Sequence, residues 1–274
     1  MGGAPSNCHR LENFYHNEYA DGIQITSFVC TVYFEVCVMF EDLVIHAPHA
    51  STHIPDDLWD QFIIGREEMK QEALASADLY TDLLAQEAWP LAGIVCAEIS
   101  RIVVDIERYS DDAMEEMAKV GRGVIYTHGH SGKQLRRSLT KSERADLLNK
   151  YYTPHWHRLK VIAASKILID LHTYPVEPWL IERNLTTNRP EICIGFSQEL
   201  TPASWVSKLT HHFRSAGYSV DHNTPYSGVI DAGTQAAVML EIRRDMVGDP
   251  GTSSTWLRLV DVLRSLPMPE GTES

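Results

Sequence analysis

Short, continuously apolar runs that end on ionisable side chains constrain the fold of this chain more than any other feature. The clearest is Leu168-Ile169-Asp170-Leu171-His172-Thr173. Leu43-Val44-Ile45 runs into His46-Ala47-Pro48-His49-Ala50-Ser51, and Ala236-Ala237-Val238-Met239-Leu240 ends on Glu241. Runs of this kind read as strands covered on both faces, the situation that helices on either side of a sheet create. Strand candidates are 43–46, 93–97, 101–106, 166–171, 191–195, 218–221 and 236–242; helix candidates are 66–88, 111–118, 140–164, 202–216 and 253–265. Thr140-Lys141-Ser142-Glu143 has the form of a capping box, in which the first and fourth residues satisfy each other's backbone N–H groups. The alternation of strand and helix predicts a single-domain α/β fold, a three-layer αβα sandwich around a mixed, mostly parallel sheet.

With 274 residues, 44% of them hydrophobic, the chain can bury one large core. Its formal charge of −13 repels phosphate backbones and anionic lipid, so no nucleic-acid or membrane partner is expected. The short basic stretch Lys133-Gln134-Leu135-Arg136-Arg137 reads as a solvated face. Cysteines 8, 30, 37, 96 and 193 form no CxxC and are odd in number, against both a disulfide framework and a thiolate zinc knot. A reducing, cytoplasmic setting is the expectation. Residues 1–38 have neither a clean period nor a signal-peptide pattern and read as an N-terminal extension. A catalytic domain is expected over 39–266, with 267–274 a fraying tail and 119–139, the longest irregular segment, a lid.

Histidines delivered by two distant strand ends suggest one metal site. His49 follows a proline among small residues, and His172 has Asp170 two residues before it, on the same strand face, to orient a ring. Zinc takes neutral imidazole with a carboxylate, and catalytic sites hold three protein ligands plus a water. His46 and His53 read as supporting or surface residues. Asp78 and Asp82 share one predicted helix face, and Asp78, preceded by small residues, is taken as the third ligand. Glu241, at the end of a buried run, is either neutralised by Arg243 or Arg244 or placed to accept a proton from water. Arg101 and Arg108 bracket Ile102-Val103-Val104-Asp105-Ile106-Glu107. One arginine could steady a carbonyl oxyanion while the other grips a carboxylate, unless Asp105 and Glu107 simply pair with them. Tyr226, in the turn Asn223-Thr224-Pro225-Tyr226-Ser227-Gly228, and Arg243 are further candidates for substrate contact.

Six of these segments, in order, resemble the N-formylglutamate amidohydrolases, a family grouped with the zinc carboxypeptidases and aspartoacylase-like deacylases. They are His46–Ser51 with Ile54-Pro55, Asp78-Leu79-Tyr80-Thr81-Asp82, Ser100–Arg108, Ile169–Thr173, Asn223–Gly228 and Leu240-Glu241-Ile242-Arg243-Arg244-Asp245. The resemblance implies hydrolysis of the amide of a small N-acyl amino acid, N-formyl-L-glutamate first, with one Zn2+ ion as cofactor. It implies that His49 and His172 hold the metal and Glu241 activates water, while Arg101 assists the scissile carbonyl and Arg108 grips a substrate carboxylate. The chain departs from the aspartoacylase-like pattern at Glu107, where those relatives carry Asn, and at Thr52, where they carry a ligand glutamate.

Overall fold

The computed structural model describes residues 42–182 and 184–270. The expected extension at 1–38 lies outside them. Six strands form one sheet: β1 (Leu43–Ala47), β2 (Gly93–Cys96), β3 (Ile167–Tyr174), β4 (Ile192–Gly195), β5 (Val220–His222) and β6 (Ala236–Arg243). Their order is β2-β1-β3-β6-β4-β5, and every neighbouring pair is parallel except β4 with β6. The sheet is therefore mixed and mostly parallel, flanked by helices α1 (Arg66–Ser76), α2 (Thr81–Ala88), α3 (Lys141–Leu147), α4 (Thr153–Ala163), α5 (Ala203–Ser215) and α6 (Ser254–Arg264).

Strand periodicity sorts the side chains. Ile167, Ile169 and Leu171 of β3, with Val238, Leu240 and Ile242 of β6, join a core that includes Leu84 of α2, Trp205 of α5 and Trp256 of α6. Leu168 and Ala237 point to the other face, where Leu159 and Ala163 of α4 cover them. Asp170, His172 and Glu241 share that second face by the two-residue period. The register sets His46 opposite Asp170 and His172 opposite Glu241. A third cluster, built on Met69, Ile102, Val103, Val124 and Tyr126, stands beside it.

Several expectations are corrected. The single helix expected over 66–88 is broken: α1 ends at Ser76 with Ala77 as its cap, Tyr80 takes a left-handed conformation at φ 69°, and α2 begins at Thr81. Asp78 thus lies in a turn instead of on a helix face, and its N–H donates to the His49 carbonyl at 2.9 Å. Residues 101–106 form turns, because their backbone groups bond locally (Val103 N to Ser100 O, 2.9 Å) or to the 122–126 loop (Asp105 N to Val124 O, 2.7 Å). The apolar side chains are buried there without a ladder. Over 111–118 the helix reduces to a 3-10 turn at Glu116–Val120. The span 140–164 begins on the Thr140–Glu143 capping box and runs through a π-helical turn, Leu148–Tyr152, between α3 and α4. The expected lid at 119–139 is packed down: bridges tie Arg122 to Tyr126, His128 to Gln134 and Arg136 to Phe62, and Val124, Tyr126, Leu135 and Arg136 are buried. At the other end, Pro267 accepts a hydrogen bond from Trp205 Nε1 at 2.7 Å and Met268 packs on the core, while residues 271–274 of the expected tail lie outside the described residues.

Candidate active site

The carboxyl ends of β1, β3 and β6 open into a cavity of about 1070 Å³. Crevices at this edge of a parallel sheet are where such folds place ligands, because the strands end and the loops diverge there. Seven of the eight residues singled out in the sequence line it: His49, Asp78, Arg101, Arg108, His172, Tyr226 and Glu241. The eighth, Arg243, stands outside, held by Asp245 (2.7 Å) and the Arg189 carbonyl (2.6 Å). Its neighbour Arg244 reaches the wall instead and donates to the last carbonyls of α1 and its cap, Ala75 and Ala77, at 2.8 and 2.7 Å. Strand parity accounts for the exchange only in part, since β6 ends at Arg243 and the chain turns there.

The histidines are hydrogen-bonded through different nitrogens, His49 through Nε2 and His172 through Nδ1, while both present Nδ1 toward Asp78. For His49 the Nε2 partner is Asp105 Oδ1 at 2.9 Å, and Asp78 Oδ2 lies 3.5 Å from Nδ1. For His172, Asp170 Oδ1 is 3.2 Å from Nε2, and Asp78 Oδ2 is 3.1 Å from Nδ1. The ring centroids are 5.2 Å apart. Glu107, which the sequence suggested only as an arginine partner, also stands close, 3.5 Å from His49 Nε2 and 3.4 Å from His172 Nε2. One donor atom each of His49, Glu107 and His172 lies within 4.8 Å of the others, a spacing that suits a metal ion. A second such group, His46, Glu107 and Asp170, is already committed: His46 sits between Asp170 (2.8 Å) and His155 (2.9 Å).

Electrostatics favour a cation here. Burial would lower the pKa of His172, yet Glu107 and Asp170 beside it hold the imidazole well above its ordinary range. A site that retains a proton so strongly has an excess of carboxylate, and a divalent ion can replace that proton. Asp105 is the hub of the opposite charge. Burial would raise it, but Arg101 and His49 hold it well below the usual carboxylate range. Arg101 donates to its Oδ2 through Nη2 (2.8 Å) and Nε (3.0 Å), Tyr126 through its hydroxyl (2.7 Å), and Arg108 Nε is 3.6 Å away. Glu241 differs from the other carboxylates. Removal from water pushes it up to about 8, with Asp78 and Glu107 adding to the rise and His172 and Arg101 opposing it. Its Oε2, like His49 Nδ1 and His172 Nε2, is buried without a hydrogen-bond partner. Buried polar atoms left unpaired in this way are expected where a ligand completes them.

The residues present therefore fit a zinc-type donor set: two imidazoles, each with one ring nitrogen hydrogen-bonded to a carboxylate and the other unpaired, with carboxylate oxygens beside them. Sequence reasoning missed Arg122, Trp179 and Glu182, which also line the cavity. They come from segments with no strand or helix period to mark them.

A search of curated proteins found no match. The chain is similar in fold to the N-formylglutamate amidohydrolase of Ralstonia eutropha JMP134, with a TM-score of 0.68 and 22% identity over 82% of this chain and 91% of that one. It is also similar to a gene product of Agrobacterium tumefaciens, with a TM-score of 0.63 and 17% identity over 84% and 90% of the two chains. The sequence model of one family, N-formylglutamate amidohydrolase, matches residues 41–247, which take in every strand and the whole cavity rim named above. The chain belongs to the N-formylglutamate amidohydrolase family.

Proposed function

We propose that this cavity hydrolyses the amide bond of an N-acyl amino acid, N-formyl-L-glutamate first, with one zinc ion held by His49, His172 and Asp78. The observation that carries the reading is the convergence of the two imidazoles on one carboxylate oxygen, with His49 Nδ1 3.5 Å and His172 Nδ1 3.1 Å from Asp78 Oδ2. Zinc bound by these residues supplies Lewis acidity, polarising an acyl oxygen and lowering the pKa of a water.

The chain's own residues perform the rest. Glu241 takes a proton from the attacking water at its unpartnered Oε2 and delivers it to the departing amine. Its raised pKa suits that exchange, since a carboxyl near neutrality can both accept and release a proton. Arg101 is fixed by Asp105 and Tyr126 through Nε and Nη2, so its guanidinium is already oriented when charge develops on the acyl oxygen. Arg108, whose Nε has no hydrogen-bond partner, grips the substrate α-carboxylate. Tyr226, its hydroxyl donating to Glu182 at 3.0 Å, shapes the wall beside Glu241. The site is read as that of a cytoplasmic enzyme acting on a small molecule.

The test combines two measurements. Elemental analysis of protein purified without added metal should find about one zinc per chain, and formate release should be fastest from N-formyl-L-glutamate in a panel with N-acetyl-L-aspartate and short peptides. Faster turnover of the acetyl or peptide substrates would reassign the substrate. Absence of both metal and turnover would reduce the cavity to a binding site.

A further inference from the structure

One cation in the cavity wall is used by nothing described so far. Arg122 is 3% exposed, yet it lines the cavity. Its guanidinium is stacked between two rings, with Cζ 4.6 Å from the centroid of Tyr126 and 4.8 Å from that of Trp179. Nη2 makes one long hydrogen bond, to the Tyr126 hydroxyl at 3.4 Å, and Nε is buried with no partner. Arg101 and Arg108 both pair with Asp105, whereas no carboxylate among the described residues lies within 4.0 Å of Arg122.

A guanidinium withdrawn from water without an anion is costly, and stacking on two aromatic faces offsets only part of that cost. The carboxylates nearby are engaged elsewhere. Asp105 serves Arg101, Tyr126 and His49, and Glu115 accepts from the backbone N–H groups of Tyr109 and Met117. Glu182 is bonded to Arg189 and Tyr226. Arg244, 5.7 Å from the same Trp179 ring, adds a second cation, which pairs with Asp78 at 3.5 Å through Nη2 while its Nε has no hydrogen-bond partner. The Tyr126 hydroxyl that Arg122 touches is also 3.1 Å from Arg101 Nε, so this positive pocket adjoins the arginine assigned to the acyl oxygen.

We propose that Arg122, held between Tyr126 and Trp179, binds the side-chain carboxylate of the substrate, so that the cavity selects N-acyl derivatives of dicarboxylic amino acids over their uncharged amides. The inference rests on the N-acyl amino acid reading of the same cavity for the rest of the substrate. It divides the work: Arg108 takes the α-carboxylate that all such substrates share, and Arg122 takes the group that distinguishes glutamate from glutamine. A planar fork fixed by stacking suits bidentate contact with a carboxylate, and it loses little freedom on binding.

The experiment compares N-formyl-L-glutamate with N-formyl-L-glutamine on wild type, Arg122→Met and Arg122→Lys, and glutarate with glutaramate by calorimetry on the same proteins. Wild type should favour the glutamate substrate by about 100-fold in kcat/KM, because an uncharged amide leaves the guanidinium unpaired. Methionine keeps the stacked volume without the charge, and its loss should fall at least about tenfold more heavily on the glutamate substrate. Lysine keeps the charge without the fork and should retain a preference of roughly tenfold, which decides the matter should the methionine variant not fold. Equal losses on both substrates, or none, would overturn the clamp. Glutarate should bind wild type about tenfold tighter than glutaramate, and Arg122→Met should erase the difference. If wild type releases formate from neither substrate, the amidohydrolase reading fails by itself and the clamp stands or falls on the glutarate preference.

Discussion

Glu241→Gln is expected to stabilise the metal-free protein while removing its turnover. Glu241 is 7% exposed and Oε2 has no partner. Withdrawal from water pushes its pKa up to about 8 from an ordinary 4.5. Below the unfolded value the folded and unfolded chains hold the same proton, so the stability is fully present; it is lost as pH rises through the folded value. At about 1.4 kcal/mol per unit, that gap removes about 4 kcal/mol by pH 8 and about 1 kcal/mol at pH 5. Glutamine does not ionise and escapes this loss. Urea unfolding of chelator-dialysed wild type and variant at pH 5, 6.5 and 8 measures it. The variant's advantage should widen by roughly 2–4 kcal/mol from pH 5 to pH 8. Formate release by the zinc-loaded variant should fall by about 100-fold or more. A stability difference that does not change with pH would refute the burial of an unpaired carboxyl, and undiminished turnover would refute its role as base.

Three further outcomes are expected. Asp78→Asn should weaken zinc binding by about 10- to 100-fold in competition with a chromophoric chelator, and more than Glu107→Gln does; the reverse order would move the third ligand to Glu107. Arg108→Ala should raise KM for N-formyl-L-glutamate by about tenfold or more while affecting its α-amide far less, and an unchanged ratio between the two would exclude the α-carboxylate grip. Arg136→Met should cost about 2–4 kcal/mol in denaturant unfolding, because the buried guanidinium that donates to the Ile102 and Val103 carbonyls (3.5 and 3.3 Å) is lost; a cost below about 0.5 kcal/mol would show that those carbonyls have another donor.

What could be read from the residues depended on whether a regular element carried them. His172 and Glu241 end long buried strands whose two-residue period puts both on one face, so their meeting across the β3–β6 register was legible. His49 could be read because β1 ends in the same way. Asp78 was found for an incomplete reason. Its helix breaks, and the left-handed Tyr80 and the bond from its N–H to the His49 carbonyl, both tertiary features, bring it to the histidines. Glu107 and Arg122 were read as an ion-pair partner and as part of a loop, since the expected strand over 101–106 gives way to turns whose directions are set by hydrogen bonds to the 122–126 loop. The Arg243–Arg244 pair shows the same limit, because a strand end leaves parity undefined one residue later.

The placement of β6 has a consequence for biogenesis. The strand is the last of the six in the chain, yet it lies between β3 and β4 and joins the parallel part of the sheet to the reversed part. A nascent polypeptide lacking residues 236–243 holds two disconnected half-sheets, each with an apolar interior edge open to pairing with another molecule. Strand insertion therefore closes the sheet and delivers Glu241, the proposed proton acceptor, in one event. Translation stalled or terminated before that segment is expected to yield aggregation-prone chains with no residual hydrolysis, and no partly assembled enzyme.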